Sequence, residues 1–342
     1  MEPGNCRYPS NSDVTCRRYA AAGVFAVALC AQQPSTIRVP VRLVSVPTLV
    51  ASRDGKYIAG LSTTDFTVTD NDHLQNISVD VNSVPVSLVV VLQANQAVRD
   101  YLAFIQNTGA LLDDSLAAAT GQAALLTYGD EIAVTKPFAQ SELRSAMQTV
   151  SPSGTKALML DAGLRAVGML KERPNPTSRV LLFIGQPYDD GSSAKLEALE
   201  SRAEEADVQI YALTLPLLGK TFVSDAFGLT GLGSQGYRGG YEARVELTKA
   251  VPALRRTAEA GMHSDPFSFL TIASGGLQLH FRKQKQLEDA IIGLGDALRS
   301  RYILSYRPDP YTAGFHKIVV QADVPGAIVY SRPGYEVTEA AR

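Results

Sequence analysis

Apolar positions along the chain follow two rhythms. Val86 to Leu92 is an apolar run broken only by Ser87, and Arg179 to Ile184, RVLLFI, is a second. β-branched runs of this kind, without alternation, predict strands covered on both faces, as in a parallel sheet flanked by helices. Between them Val98, Tyr101, Leu102, Ile105, Leu112 and Leu116 recur at helical spacing. Ala123 to Tyr128 and Glu131 to Val134 read as strands; the short link Gly129-Asp130 makes them a hairpin with the second strand at a sheet edge. A short helix near Glu142 to Met147 follows, then one from Lys156 to about Lys171, ended by Pro174 and Pro176. After RVLLFI come a helix from Lys195 to Ala206 and a strand from Val208 to Leu215. The alternation predicts an α/β fold: a doubly wound, Rossmann-like, mostly parallel sheet with helices on both faces and right-handed crossovers.

The chain ends keep a different rhythm. From Ile37 to Ser45 the apolar Ile37, Val39, Val41 and Leu43 are spaced two apart, with Arg38 and Arg42 between them, the period of a half-buried strand. Asp54-Gly55 marks a turn, and Phe66 and Val68 alternate with Thr67 and Thr69 before the acidic turn Asp70-Asn71-Asp72. Strands this few cannot close a core by themselves. Partners come from the last forty residues, where Tyr302 to Tyr306, Lys317 to Ala322 and Ala327 to Tyr330 have β character. The economical architecture is an α/β domain, residues 85–298, inserted into a small β-sandwich made from residues 36–84 and 299–342. Within the α/β domain, residues 216–265 read as an insertion on the sheet's rim, with the glycine-rich stretch Gly228 to Gly240 and a helix around Glu242 to Ala260. The wound pattern resumes with Phe269 to Ser274, a Gly275-Gly276 turn, a strand Leu277 to Phe281 and a helix from Leu287 to about Arg299.

The first 35 residues differ again. Arg17 and Arg18 precede an apolar run from Ala20 to Ala31 and then Gln32, Gln33 and Pro34, the order of a secretory signal. The run is shorter than the roughly 20 residues of a spanning helix. Cleavage after Ala28 or Cys30 fits, and acylation of Cys30 is an alternative. The expectation is an exported protein, periplasmic, envelope-associated or secreted, with no membrane span after signal removal. All three cysteines, Cys6, Cys16 and Cys30, lie here, so the body of the protein relies on its core instead of disulfides. A 45% apolar composition supports such a core, and 32 basic against 34 acidic residues, net −2, give no electrostatic reason to expect nucleic acid as a partner.

Candidate chemistry gathers where buried strands run into polar residues, the edge at which open parallel sheets bind ligands. Gln93-Ala94-Asn95-Gln96-Ala97 follows the first strand, Gly154-Thr155 precedes a helix, and Gly185-Gln186 follows RVLLFI. Here the chain resembles a von Willebrand factor A (VWA) domain, whose metal-ion-dependent adhesion site uses Asp-x-Ser-x-Ser after the first strand, a Thr in the second loop and an Asp in the third. Over Ile37 to Val337, insertion apart, it resembles the acidobacterial VWFA-related family. The segments that carry this are Gly60 to Ser78, Tyr128 to Phe138, Ser153 to Ala166, Leu287 to Pro308 and Ser331 to Val337. The resemblance implies a VWA-type sheet and a module that binds partners. It also places the adhesion-site positions on Gln93, Asn95, Ala97, Thr155 and Gln186, of which only Thr155 keeps the family residue. Such neutral oxygens suit a hard dication poorly, so the expectation is no cofactor. Magnesium held through Asp189 is the alternative. A further reading has these amides hydrogen-bonding the loops to one another.

Other motifs carry less. Gly231-x-Gly233-x-x-Gly236 stands about fifteen residues past the strand ending at Leu215, too far for a dinucleotide fingerprint, and Gly219-Lys220-Thr221 lacks the first glycine of a phosphate loop. His73, His263, His280 and His316 are scattered without zinc spacing, and no nucleophile elbow is present. Tyr237, Arg238 and Tyr241 are recognition candidates, since tyrosine and arginine are enriched in hot spots; a disordered loop is the alternative. The expected function is a non-catalytic, metal-free module for a protein partner. A nucleotide-binding enzyme and a purely structural envelope scaffold are the rivals.

Overall fold

A computed structural model describes residues 43–81, 85–116, 121–139, 142–174, 178–216 and 265–337. The expected signal, the three cysteines, the two glycine motifs, His263 and the recognition candidates Tyr237, Arg238 and Tyr241 lie outside the described residues. In chain order the elements are β1 (Val44–Ala51), β2 (Phe66–Asp70), β3 (His73–Leu74), β4 (Ile77–Val81), β5 (Val86–Gln93), α1 (Arg99–Asn107), α2 (Gly109–Leu116), β6 (Gln122–Tyr128) and β7 (Ile132–Ala139). Next come α3 (Leu143–Gln148), α4 (Met159–Lys171), β8 (Ser178–Gly185), α5 (Leu196–Glu205), β9 (Val208–Thr214), α6 (Pro266–Ser274), β10 (Gln278–His280) and α7 (Gln284–Arg299). The chain closes with β11 (Tyr302–Tyr306), β12 (Gly314–Ala322), β13 (Ile328–Ser331) and β14 (Gly334–Val337).

The α/β unit is a six-stranded sheet of order β10-β9-β8-β5-β6-β7, parallel except for β7. Central β5 explains the unbroken apolar run. Leu88, Val90 and Leu92 pack into one layer with α1, α2, α3 and α7, while Val89 and Val91 pack into the other with α4, α5 and α6. With helices on both faces no position faces water, so no alternation survives.

Several boundaries move. The predicted Leu277 to Phe281 strand shortens to Gln278–His280, Phe269 to Ser274 belongs to a helix, and the hairpin's second strand extends to Ala139. The long helix after β5 is two helices, interrupted at Thr108, whose hydroxyl donates to the Ile105 carbonyl at 2.7 Å and caps the first. α4 begins at Met159, not Lys156, because the preceding residues bond to other loops: Ala157 forms a bridge with Asp190.

Both chain ends build the sandwich. One sheet is β13-β1-β11-β4 and the other β14-β12-β2-β3, and they share a core that includes Val46, Phe66, Val68, Tyr302, Leu304, Ile318 and Val320. Of the strand expected over Ile37 to Ser45, residues 37–42 lie outside the described residues; Val44 and Ser45 open β1, which runs on to Ala51, and Leu43 is 60% exposed. β1 does not alternate because both its faces are covered. Val46 and Val50 enter the sandwich core, whereas Leu49 and Ala51 pack with Ile328, Tyr330 and Ala297 of α7. Asp70, read from sequence as the first residue of an acidic turn, is buried. Its carboxylate accepts from Tyr306 and Tyr335 hydroxyls at 2.8 Å each and from His316 Nδ1 at 2.6 Å.

The sandwich meets the α/β unit at the amino ends of the parallel strands. Pro333 and Gly334 line a small cavity with Val208, Gln209 and Ile210, the first residues of β9, and the Glu336 backbone N–H donates to Glu204 at 3.0 Å. The carboxyl edge, with Gln93 and Gln186, lies at the other end of the strands.

Candidate functional site

The carboxyl edge of the sheet brings together most of the positions singled out from sequence. Gln93 ends β5 and is 1% exposed; Asn95 and Gln186 are 2% and 4% exposed. The Gln93 carbonyl oxygen Oε1 accepts the Gln186 backbone N–H at 2.6 Å. Its amide Nε2 donates to Asn95 Oδ1 at 3.0 Å and makes a longer 3.5 Å contact with Gln186 Oε1. Asn95 Oδ1 also accepts the Ala97 N–H at 3.2 Å, so Asn95 caps the short turn Gln96–Val98. Its Nδ2 donates to the Lys156 carbonyl at 2.8 Å and the Thr155 carbonyl at 3.4 Å. Gln186 Nε2 reaches the Pro216 carbonyl at 3.2 Å, at the end of β9. Three loops and the exit of β9 are thus joined by three side-chain amides.

Close backbone approach makes this network possible. A Cβ at Gly185 would lie 2.7 Å from Gln93 Cβ and Oε1, so only glycine lets the amide lie against β8. Beneath it the Tyr128 hydroxyl is buried and unpaired. Burial first, and then the Asp189 charge, push its pKa up, so it stays a neutral phenol.

Around the amides, the second loop is held by Asp130. Its Oδ1 accepts the Thr155 and Lys156 N–H groups at 2.8 and 2.7 Å, and these bonds, Lys156 first, lower its pKa. Gly154 adopts φ +68° against the same carboxylate. The loops are further stitched by Ser153 N–H to the Ala94 carbonyl at 2.9 Å and Gln96 N–H to the Gly154 carbonyl at 3.0 Å. Thr155, the one retained family residue, is exposed and enters through its backbone; Ala97 is exposed and contributes only its N–H. Asp189 accepts from the Leu160 N–H at 2.8 Å and the Ser192 hydroxyl at 2.6 Å, facing the start of α4.

This donor set does not fit a divalent cation. A hard dication needs free oxygens, some of them anionic. Here an N–H group of Gln93 points at the oxygens of Asn95 and Gln186, Asn95 Oδ1 already receives two donors, and the carboxylates of Asp130 and Asp189 are turned to backbone and hydroxyl donors. Among the described residues no three His, Cys, Asp or Glu side chains group as a metal site. The amides tie the loops to one another.

The sheet order, its one antiparallel edge strand, two helical layers and three loops meeting above β5 decide the architecture. The α/β unit has a von Willebrand factor A-type fold. Solved structures similar to the chain include an aerotolerance-related membrane protein from Bacteroides fragilis, with 12% identity over 62% of this chain and 98% of that one, TM-score 0.40. BatB from Bacteroides thetaiotaomicron is similar at 13% identity over 62% of this chain and 98% of that one, TM-score 0.38. Proximal thread matrix protein 1 from the mussel byssus, with a zinc-occupied adhesion motif, is similar at 11% identity over 68% and 50% of the two chains, TM-score 0.44. No protein-family model matches the chain, and no curated protein does.

Sequence reasoning placed Gln93, Asn95 and Gln186 at the VWA edge but passed over Asp130, Tyr128 and Gly185. Asp130 was legible only as half of a turn, although aspartate there is a common acceptor for nearby backbone N–H groups. Tyr128 and Gly185 matter through packing across the sheet, for which the chain order carries no signal.

Proposed function

We propose that this chain is an exported, non-catalytic interaction module in which the loops at the carboxyl edge of the VWA-type sheet present a preformed surface to a protein partner without a metal. The observation that carries this reading is the closed amide network. Gln93, Asn95 and Gln186 satisfy one another and the backbone, so the loops keep one shape without an ion to gather them. A surface already ordered loses little freedom on docking, which favours affinity. Export rests on the order of regions in the first 35 residues. The absence of catalysis rests on the chemistry of the edge, where neutral amides and hydrogen-bonded carboxylates offer neither an activated nucleophile nor a free acid–base pair.

Affinity capture from envelope and secreted fractions tests the reading. The tagged protein recovers a partner, and recovery is unchanged in EDTA; loss of the partner in chelator contradicts it. Replacing Gln93, Asn95 and Gln186 together by alanine separates a contact surface from a scaffold. The folded triple variant loses the partner if the edge is the contact, and keeps it if binding lies elsewhere.

A further inference from the structure

The seam between the sandwich and the amino ends of the VWA-type sheet holds a buried charge that has no ion-pair partner among the described residues. Arg301, just before β11, is 2% exposed. Its Nη2 donates to the Ser178 hydroxyl and the guanidinium also interacts with the Tyr211 hydroxyl, yet Nε and Nη1 have no well-formed hydrogen bond among the described residues. No described carboxylate forms an ion pair with it; Asp207 acts only through its charge. Gln209, 4% exposed, likewise has both amide atoms unpartnered. Arg301 and Gln209 line one small cavity, closed otherwise by Pro47, Leu49, Leu277 and neighbouring residues, with no carboxylate in its wall.

Leaving a guanidinium uncompensated in such a place is expensive, because a buried charge needs both a counter-charge and filled hydrogen bonds. A water would fill donors but bring no charge. The cavity is small, with room for a single water-sized or slightly larger particle and too little for phosphate, sulfate or a nucleotide. A larger cavity beside it, which Gln209 and Arg332 also line, carries four carboxylates, Glu200, Glu204, Asp207 and Glu336, against that one cation, and suits an anion poorly. We propose that the cavity at Arg301 and Gln209 is a binding site for a single monatomic anion of chloride size, which ties the sandwich to the α/β unit by accepting the free N–H groups of Arg301 and the amide N–H of Gln209.

The test uses the full chain. Melting temperature is followed while chloride replaces gluconate at constant ionic strength, and crystals soaked in bromide are examined for anomalous scattering. The site predicts a melting temperature that rises saturably with chloride, and a bromide peak within hydrogen-bond reach of Arg301. Gln209→Leu, which removes one donor, weakens the chloride response about tenfold or more, and Arg301→Met abolishes it. If Arg301→Met fails to fold, Gln209→Leu and the bromide map still decide the matter. Equal melting in chloride and gluconate with an empty bromide map overturns the proposal. So does an adventitious ion only, seen as a chloride response that Gln209→Leu leaves unchanged or a bromide peak elsewhere.

Discussion

Gln93 carries the largest share of the edge's order, since its two amide ends bond to two different loops. Replacing it by alanine leaves the buried Gln186 backbone N–H without its acceptor and takes one donor from Asn95 Oδ1, and should lower unfolding stability by about 1–3 kcal/mol in urea titration. Gly154→Ala forces a side chain into φ +68° against Asp130 and should cost about 1–2 kcal/mol or more by the same measurement. Asp130 adds a pH dependence of known sign. Backbone donors hold its folded pKa below the ordinary carboxylate value, so its contribution is present above that value and is lost as pH falls through the depressed one. Asp130→Asn should therefore melt below the parent at pH 7, with the gap closing in acid. None of these roles was readable from residue type alone. Gln93, Asn95 and Gln186 stood out because they end or follow apolar runs, but the direction of each amide depends on partners in other loops far along the chain.

Elements were more legible where periodicity matched burial. β5 and β8 announced themselves because both faces are buried, and β2 because one is. β7 was seen as an edge strand, but not how its edge is blunted. A register shift, Pro137 and the inward-turned Lys136, whose Nζ donates to the Ala123 carbonyl at 2.8 Å, disrupt the ladder that would otherwise invite another strand. Most of β1 escaped notice because a strand packed between two cores has no period-two signature. β2, β11, β12 and β14 are locked by the carboxylate of Asp70, which His316, Tyr306 and Tyr335 approach from the other three strands. Tyr306→Phe removes one of those charged hydrogen bonds and should lower stability by about 1.5–3 kcal/mol, visible as an earlier urea transition.

At the scale of the whole molecule, the sandwich occupies one end of the VWA-type sheet and leaves the other to the loops that Gln93, Asn95 and Gln186 organise. The inserted architecture was legible because β character at both chain ends required a common partner. The seam was not, since Arg301 and Gln209 are ordinary polar letters until two units close over them. What distinguishes this molecule is an edge whose order comes from amides where a cation would need free oxygens. The most direct test is a melting curve of the intact protein with and without millimolar magnesium and manganese. Amide-ordered loops predict superimposable curves. A saturable rise, which would reach about 2.7 kcal/mol of added stability at a hundredfold excess over the dissociation constant, would show that the edge holds a metal and contradict the account.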